Sequence, residues 1–179
     1  MKKVEVKAKV ADVETLKDRL VLLGFFFSQA LFQQDRLYLP NDTLFSEIKE
    51  GTVILRLRNS NGRQTLKLKK IGETFLDTIE REIVIDDPDQ AAEMLKYIGY
   101  YQVLDMARVR QKSSYNGLTI SLDQVEELGS FIKVEKMVED EDIQQVQDKL
   151  FAFLERFGIS KEDQVTQQYG TLIYQGRHS

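Results

Sequence analysis

Basic residues recur at every second position along several segments of this sequence, and that spacing places them on one face of a β-strand. Side chains two positions apart in a strand point to the same side. In residues 4–10, valine and alanine take one face, while lysines and a glutamate in and just before the segment take the other. Arginine and lysine bind phosphate oxygens, and carboxylates among them can hold a divalent cation. The spacing is therefore that of a surface able to bind a polyphosphate anion.

The same alternation in the other predicted strands extends this charged surface. Eleven basic residues fall on the polar faces of the predicted strands: Lys3, Lys7, Lys9, Arg56, Arg58, Lys67, Lys69, Arg108, Arg110, Lys112 and Lys133. Five acidic residues share those faces: Glu5, Glu80, Glu82, Asp123 and Glu135. The surplus of six positive charges contrasts with a net charge of −4 for the whole chain. The charged faces either lie in water, as on most half-buried strands, or turn inward and enclose a cavity that attracts a polyanion.

Turn signals and helix signals between these segments predict an α+β protein. Asn61-Gly62 and Asn116-Gly117 each lie between two alternating segments, which favours a two-residue hairpin turn of type I′. Three further strands are each followed by an amphipathic helix that ends at a glycine. We therefore expect about eight antiparallel strands and three helices.

The hairpin turns also predict which charges meet across the strands. A two-residue loop at the first turn places Arg56 directly opposite Lys67. Such a like-charge pair destabilises a sheet unless water or a bridging anion relieves it. The same count at the second turn places Arg110 opposite Asp123, where each side chain holds the other in place.

Length and composition limit the class of protein. The 179 residues fit a single domain, 1–179, with a substantial core. The chain has no cysteine, no apolar run long enough to cross a membrane and no apolar leader, which predicts a cytoplasmic protein. The negative net charge does not favour duplex nucleic acid as a partner. The single histidine, His178, lies in a tail that we expect to be frayed.

Seven short stretches occur in an order that is informative when they are taken together. They are Lys3-Val4-Glu5-Val6-Lys7; Gln34-Asp35 with Tyr38; Arg56-Leu57-Arg58; Leu66-Lys67-Leu68-Lys69; Glu80-Arg81-Glu82; Arg108-Val109-Arg110; and Leu122-Asp123 followed by Leu128-Gly129-Ser130-Phe131. In this order and spacing, the stretches resemble the CYTH family, also called the triphosphate tunnel enzymes. The resemblance covers nearly the whole chain.

The resemblance implies a fold and a set of site residues. The implied fold is α+β, an eight-stranded antiparallel β-barrel tunnel with flanking helices, and the polar faces then point inward. The implied triphosphate-binding residues are Lys3, Lys7, Lys9, Arg56, Arg58, Lys67, Lys69, Arg108, Arg110 and Lys133. The implied catalytic residues are Glu5, Lys7, Asp123 and Glu135, of which Glu5, Asp123 and Glu135 are also the implied ligands of Mg²⁺ or Mn²⁺. Glu80 and Glu82 are expected as further acids of the tunnel.

The resemblance also implies a choice of activities. The CyaB-type spacing favours a class IV adenylate cyclase, in which the ribose hydroxyl of ATP attacks the α-phosphorus and pyrophosphate leaves. One alternative is a metal-dependent triphosphatase that acts on inorganic, nucleotide or thiamine triphosphate. Another is a non-catalytic protein that only binds triphosphates. ATP or another triphosphate is the expected partner, without duplex nucleic acid or membrane, and the resemblance leaves a homodimer open.

Two residues depart from the family pattern at its metal positions. Lys3 and Lys133 stand where the family has glutamates that bind the metal, and an ammonium group cannot ligate a cation. The metal is therefore expected to be weakly held or absent. Either these lysines contact phosphate and partly replace a metal ion, or they lie at the tunnel mouth and extend into water.

Overall fold

Eight strands and four α-helices make up the computed structural model, which describes residues 2–72, 78–139 and 141–179. Their bounds are β1 Lys2–Lys9, α1 Val13–Leu22, β2 Leu31–Pro40, β3 Val53–Ser60, β4 Arg63–Ile71, β5 Thr78–Val84, α2 Pro88–Tyr97, β6 Tyr100–Tyr115, β7 Leu118–Val125, β8 Gly129–Val138, α3 Ile143–Glu155 and α4 Tyr169–Arg177. The predicted α+β class with eight antiparallel strands is confirmed. The expectation of three helices is wrong, because α4 forms a fourth.

The chain divides into two compact units. Unit 1 comprises Met1–Leu31 and Arg108–Ser179, and unit 2 comprises Phe32–Ala107. The strand order is β1-β8-β7-β6-β2-β3-β4-β5. Within unit 1, β1 pairs with β8, β8 with β7 and β7 with β6; within unit 2, β2 pairs with β3, β3 with β4 and β4 with β5, all antiparallel.

The two predicted hairpin turns form and set the register of their strands. Asn61 and Gly62 both have positive φ, as do Asn116 and Gly117. Positive φ at both central positions is the requirement of a type I′ turn, which asparagine and glycine meet most readily. The short loops fix the register of β3 with β4 and of β6 with β7, so each strand keeps a single polar face.

Each unit packs its apolar strand face against helices. In unit 1, alternate residues of β1, β7 and β8 join α1 and α3 in one buried cluster that includes Val6, Ile120, Val134 and Leu154. In unit 2, β2 and β3 pack against α2 through a smaller cluster that includes Leu57 and Leu95. Because the helices cover the apolar faces, the alternating polar residues lie on the opposite faces. Across the described residues, every helix is too short or too polar to cross a lipid bilayer.

Helix ends follow the capping residues of the sequence. The Asp12 carboxylate accepts a hydrogen bond from the Thr15 N–H before α1, and Asp87 does the same for the N–H groups of Asp89 and Gln90 before α2. These caps satisfy donors that a helix leaves unpaired at its first turn. The tail expected to be frayed is instead helical as far as Arg177, and the His178 ring stacks on Tyr174.

Candidate functional site

The polar face of unit 1 is formed by β1, β8, β7 and the second half of β6. We call it the unit 1 polar face and define it by Lys3, Glu5, Lys7, Lys9, Arg108, Arg110, Lys112, Ser121, Asp123, Phe131, Lys133 and Glu135. Seven of these residues are basic and three are acidic, so the face carries a surplus of four positive charges. The unit 1 polar face is therefore positively charged, although the whole chain has a net charge of −4.

Three lysines lie in one row across the four strands of this face. The register places Lys112 opposite Ser121, Ser121 opposite Lys133, and Lys133 opposite Lys7. We call these four residues the lysine rung. Like charges directly opposed on neighbouring strands destabilise a sheet, so Lys133 and Lys7 meet at an energetic cost.

The electrostatics of the lysine rung favour an anion. Burial, together with the charge of Lys133, lowers the pKa of Lys7 despite the opposing charge of Glu5. Burial and the charge of Arg110 lower the pKa of Lys112. Among the ion pairs between described residues, none involves Lys7 or Lys112, although the Lys7 ammonium donates a hydrogen bond to the Gln167 carbonyl oxygen. An anion placed here would relieve the repulsion.

Ser121 lies at the middle of the lysine rung with its hydroxyl unsatisfied. The side chain is fully buried, and its Oγ has no hydrogen-bond partner within the described residues. A buried hydroxyl without a protein partner is costly, and an ordered water or ion is one way to satisfy it. The lysine rung therefore combines several cations with a free donor.

A closed ring of four charges lies beside the lysine rung. The register places Glu5 directly opposite Glu135. Lys133 Nζ lies 2.8 Å from Glu135 Oε1 and 3.6 Å from Glu5 Oε2, and Lys3 Nζ lies 3.1 Å and 3.4 Å from the same two oxygens. We call Lys3, Glu5, Lys133 and Glu135 the charge ring. Its ammonium groups neutralise two carboxylates that would otherwise repel each other.

Exposure distinguishes the two lysines of the charge ring. The Lys133 side chain is 15% exposed and the Lys3 side chain is 53% exposed. Lys133 is thus a wall residue of the polar face, and it does not extend into water. Lys3 is half in solvent while it keeps both carboxylate contacts.

A buried Arg–Asp pair holds one end of the unit 1 polar face. As the register predicts, Arg110 lies opposite Asp123. Arg110 donates from Nε to Oδ1 at 2.5 Å and from Nη2 to Oδ2 at 2.6 Å. The Tyr169 hydroxyl, from the first residue of α4, donates to Oδ2 at 2.8 Å. Asp123 therefore accepts three hydrogen bonds from two residues and orients the Arg110 guanidinium across the face.

Burial and the neighbouring positive charge shift the pKa of Asp123 in opposite directions. Burial alone would raise the pKa of Asp123, but the hydrogen bonds and charge of Arg110 outweigh it and hold the pKa below its ordinary value. Burial and the neighbouring Asp123 carboxylate raise the pKa of Tyr169, so its hydroxyl stays protonated as a donor. Tyr169 also packs on Phe131 and lies under the Lys7 ammonium, 4.5 Å from the ring centroid.

The polar face of unit 2 carries the remaining predicted site residues. We define it by Asp35, Arg56, Arg58, Lys67, Lys69, Glu80 and Glu82. The predicted opposition of Arg56 and Lys67 is confirmed by the register. Carboxylates relieve the repulsion between the Arg56 and Lys67 side chains. Arg56 Nη2 lies 3.4 Å from Glu82 Oε2, and Lys67 pairs with Glu80. The expected tunnel acids are therefore ion-pair partners of the bases.

In unit 2, Asp35 is a buried carboxylate that accepts two hydrogen bonds from one arginine, as Asp123 does in unit 1. Arg58 donates from Nε and Nη2 to its two oxygens, each at 2.6 Å, and Asp35 is buried. Arg56 lies beside this pair with its Nε buried and unbonded within the described residues. Burial and the charge of Arg58 lower the pKa of Arg56. The sequence pattern did not identify Asp35 as the partner of an arginine, although the family resemblance included it.

The predicted metal ligands do not come together as a donor set. Both oxygens of Asp123 bind Arg110, and Glu5 and Glu135 each contact two ammonium groups. In residues 2–72, 78–139 and 141–179, no three acidic or histidine side chains cluster in a way that could hold a metal ion. The residues present therefore do not fit a bound Mg²⁺ or Mn²⁺.

Lys9, the remaining predicted phosphate-binding residue, is exposed opposite Phe131.

We expect the pKa of Glu135 to be lowered by its contacts with the Lys133 and Lys3 ammonium groups. Burial would raise this pKa, but the hydrogen bonds and charges of Lys133 and Lys3 lower it to about 2. Because the pKa is depressed on folding, this carboxylate stabilises the fold above its ordinary pKa of 4.5, and that contribution is lost as the pH falls toward 2. Substitution Lys133→Met should raise the pKa. A carboxyl-detected NMR titration of both proteins measures it; an unchanged pKa would contradict the contact.

The sequence of this chain is similar to a known protein family and to curated relatives. The model of the CYTH domain family matches residues 1–169. A protein named "Putative adenylate cyclase MJ0240", of Methanocaldococcus jannaschii, is 29% identical over 94% of this chain and 97% of its own. "Adenylate cyclase CyaB" of Aeromonas hydrophila is 27% identical over 96% of this chain and 88% of its own.

Solved structures agree with the sequence comparisons. The PH1819 protein of Pyrococcus horikoshii superimposes with a TM-score of 0.72 and 28% identity, over 97% of this chain and 99% of its own. HpAC1 of Hippeastrum, a "putative adenylyl cyclase" described as having a dominant triphosphatase activity, superimposes with a TM-score of 0.65 over 97% of this chain and 95% of its own. At 15% identity, this second likeness concerns the fold alone.

Proposed function

This chain belongs to the CYTH family, and on that premise we propose that it binds the triphosphate of ATP on the unit 1 polar face and cyclises ATP. The observation that carries the proposal is the lysine rung, in which Lys7 and Lys133 are opposed and the Ser121 hydroxyl is unsatisfied. Such a row is stabilised by a bridging polyanion. The names of the bacterial and archaeal relatives support ATP as the substrate and cyclisation as the reaction.

In this proposal the protein acts by positioning and by charge stabilisation. Formation of cyclic AMP joins the ribose hydroxyl oxygen to the α-phosphorus and breaks the bond between that phosphorus and the bridging pyrophosphate oxygen. The hydroxyl proton passes to water, and the pyrophosphate gains negative charge as it leaves. Lysines and arginines fixed before the reaction stabilise that charge without reorganisation. Arg110 is oriented by Asp123, so Asp123 acts as a positioning residue, while Lys7 and Lys133 are assigned contact with phosphate oxygens. Glu5 and Glu135 remain candidate catalytic residues.

Two alternative functions each have an observation in their favour. Triphosphate hydrolysis is favoured by the activity described for the Hippeastrum protein of the same fold. Binding without turnover is favoured by the charge ring, because its carboxylates are already neutralised by Lys3 and Lys133. All three functions use the same lysine rung.

Product analysis separates the three functions. Purified protein is incubated with ATP or inorganic tripolyphosphate, in Mg²⁺, Mn²⁺ or EDTA, and the products are resolved by anion-exchange chromatography. The proposal predicts cyclic AMP and pyrophosphate from ATP. Orthophosphate release would replace it with hydrolysis, and saturable binding without products would replace it with a binding role. Absence of both turnover and binding would overturn the assignment of triphosphate to this face.

A further inference from the structure

The two glutamates of the charge ring need a cation between them. Glu5 and Glu135 are directly opposed on β1 and β8, where like charges destabilise the pair. A divalent ion bridging two opposed carboxylates is one means of neutralising them. In this chain the cations come from the polypeptide, because the Lys3 and Lys133 ammonium groups both reach this pair.

The contacts of the ammonium groups use the oxygens that a metal would need. Both ammonium nitrogens approach the same two atoms, Glu5 Oε2 and Glu135 Oε1, so nitrogen and oxygen alternate around a closed quadrilateral with sides of 2.8, 3.1, 3.4 and 3.6 Å. A metal ion bound to those oxygens would sit against two positive charges. The third expected ligand, Asp123, already binds Arg110 and Tyr169.

An ammonium group in this position can still bind phosphate. A lysine ammonium carries three N–H donors, and two contacts to carboxylates leave one available. Lys133 belongs to the lysine rung as well as to the charge ring, because the register places it between Ser121 and Lys7. Lys3, half exposed, is accessible from solvent.

We propose that Lys3 and Lys133 take the place of a divalent cation at Glu5 and Glu135, so that this face binds a triphosphate without metal. The phosphate part of this inference rests on the proposed function. The metal part does not, because it concerns only the ligand-free protein.

The metal part is tested by Mn²⁺ binding to the ligand-free full chain, measured from the electron paramagnetic resonance signal of free Mn²⁺. The wild-type protein should bind no Mn²⁺ below about millimolar concentration, whereas Lys3→Glu, Lys133→Glu should bind at least about tenfold more tightly. The matched control Lys149→Glu, Lys161→Glu makes the same charge change at two exposed positions in unit 1 and should leave Mn²⁺ binding as in wild type.

A second variant, with fewer negative charges at the charge ring, allows the test to be made if the double glutamate variant does not fold. If four carboxylates prevent the double glutamate variant from folding, Lys3→Met, Lys133→Met should gain a weaker Mn²⁺ site from Glu5 and Glu135 alone. Micromolar Mn²⁺ binding by the wild-type protein would overturn the inference. So would failure of every folded ring variant to bind more Mn²⁺ than the control.

The phosphate part is tested by calorimetric titration of inorganic tripolyphosphate into wild-type protein. Binding in EDTA should be at least as tight as in Mg²⁺, since the metal competes for the ligand in solution. Binding that requires Mg²⁺, with about a tenfold or greater loss in EDTA, would overturn this part. Absence of binding in both buffers would instead refute the proposed function, and the Mn²⁺ result would still decide the metal part.

Discussion

Replacement of Arg110 by methionine is expected to lower the free energy of unfolding by about 3–5 kcal/mol. Methionine keeps much of the apolar bulk of the arginine stem but removes both hydrogen bonds to Asp123. The Asp123 carboxylate is then left buried with Tyr169 as its remaining hydrogen-bond donor among the contacts described above. Chemical denaturation of the variant and wild-type proteins at neutral pH measures the difference.

An exposed pair of the same chemistry provides the control for Arg110→Met. Arg177 donates to both oxygens of Glu127, but the two side chains are 34% and 44% exposed. Arg177→Met should cost no more than about 1 kcal/mol, since exposed ion pairs contribute little. Adding Asp123→Asn to Arg110→Met should recover part of the lost stability, because the unpaired charge is removed. Equal losses for Arg110→Met and Arg177→Met would contradict the burial of this pair.

Charge reversal at Lys112 is expected to weaken tripolyphosphate binding by about 10- to 100-fold at low salt. Lys112 is the most exposed member of the lysine rung, so Lys112→Glu tests the charge of the rung with little risk to the fold. Two charge units change close to a multivalent anion. The loss should shrink as salt is raised, because mobile ions screen exposed charges. Calorimetric titrations at two salt concentrations measure both effects.

Lys149→Glu is the matched control for the charge reversal. It makes the same change on the exposed side of α3, away from the unit 1 polar face, and should alter tripolyphosphate affinity by no more than about twofold. If Lys112→Glu and Lys149→Glu weaken binding equally, the effect comes from net charge and the lysine rung is not the binding site.

The strand pairing could be predicted because local residues determine it. Asn-Gly turns restrict the hairpins to two-residue loops, and the alternation of apolar and charged residues then fixes which side chains are opposed. This reasoning placed Arg56 opposite Lys67 and Arg110 opposite Asp123, as the structure does. The family membership and the α+β class followed from the same strand motifs.

The partners of the charged groups could not be predicted because they come from distant segments. Tyr169 reaches Asp123 from 46 residues away, in a helix whose two glycines, Gly170 and Gly176, weakened the helical signal. Lys133 and Lys3 contact Glu5 and Glu135 through side-chain conformations that no spacing rule specifies. The alternation of residues therefore predicts which charges share a face, while the folded structure decides which of them neutralise one another.

The most direct test is a crystal structure of the full chain with inorganic tripolyphosphate in EDTA. The lysine rung predicts phosphate oxygens within about 3 Å of Lys133 Nζ and of the Ser121 hydroxyl, with Lys7 or Lys112 completing the contact. It also predicts that the charge ring keeps its four side chains paired. A saturated crystal with the tripolyphosphate bound elsewhere, and the lysine rung without phosphate, would contradict the account.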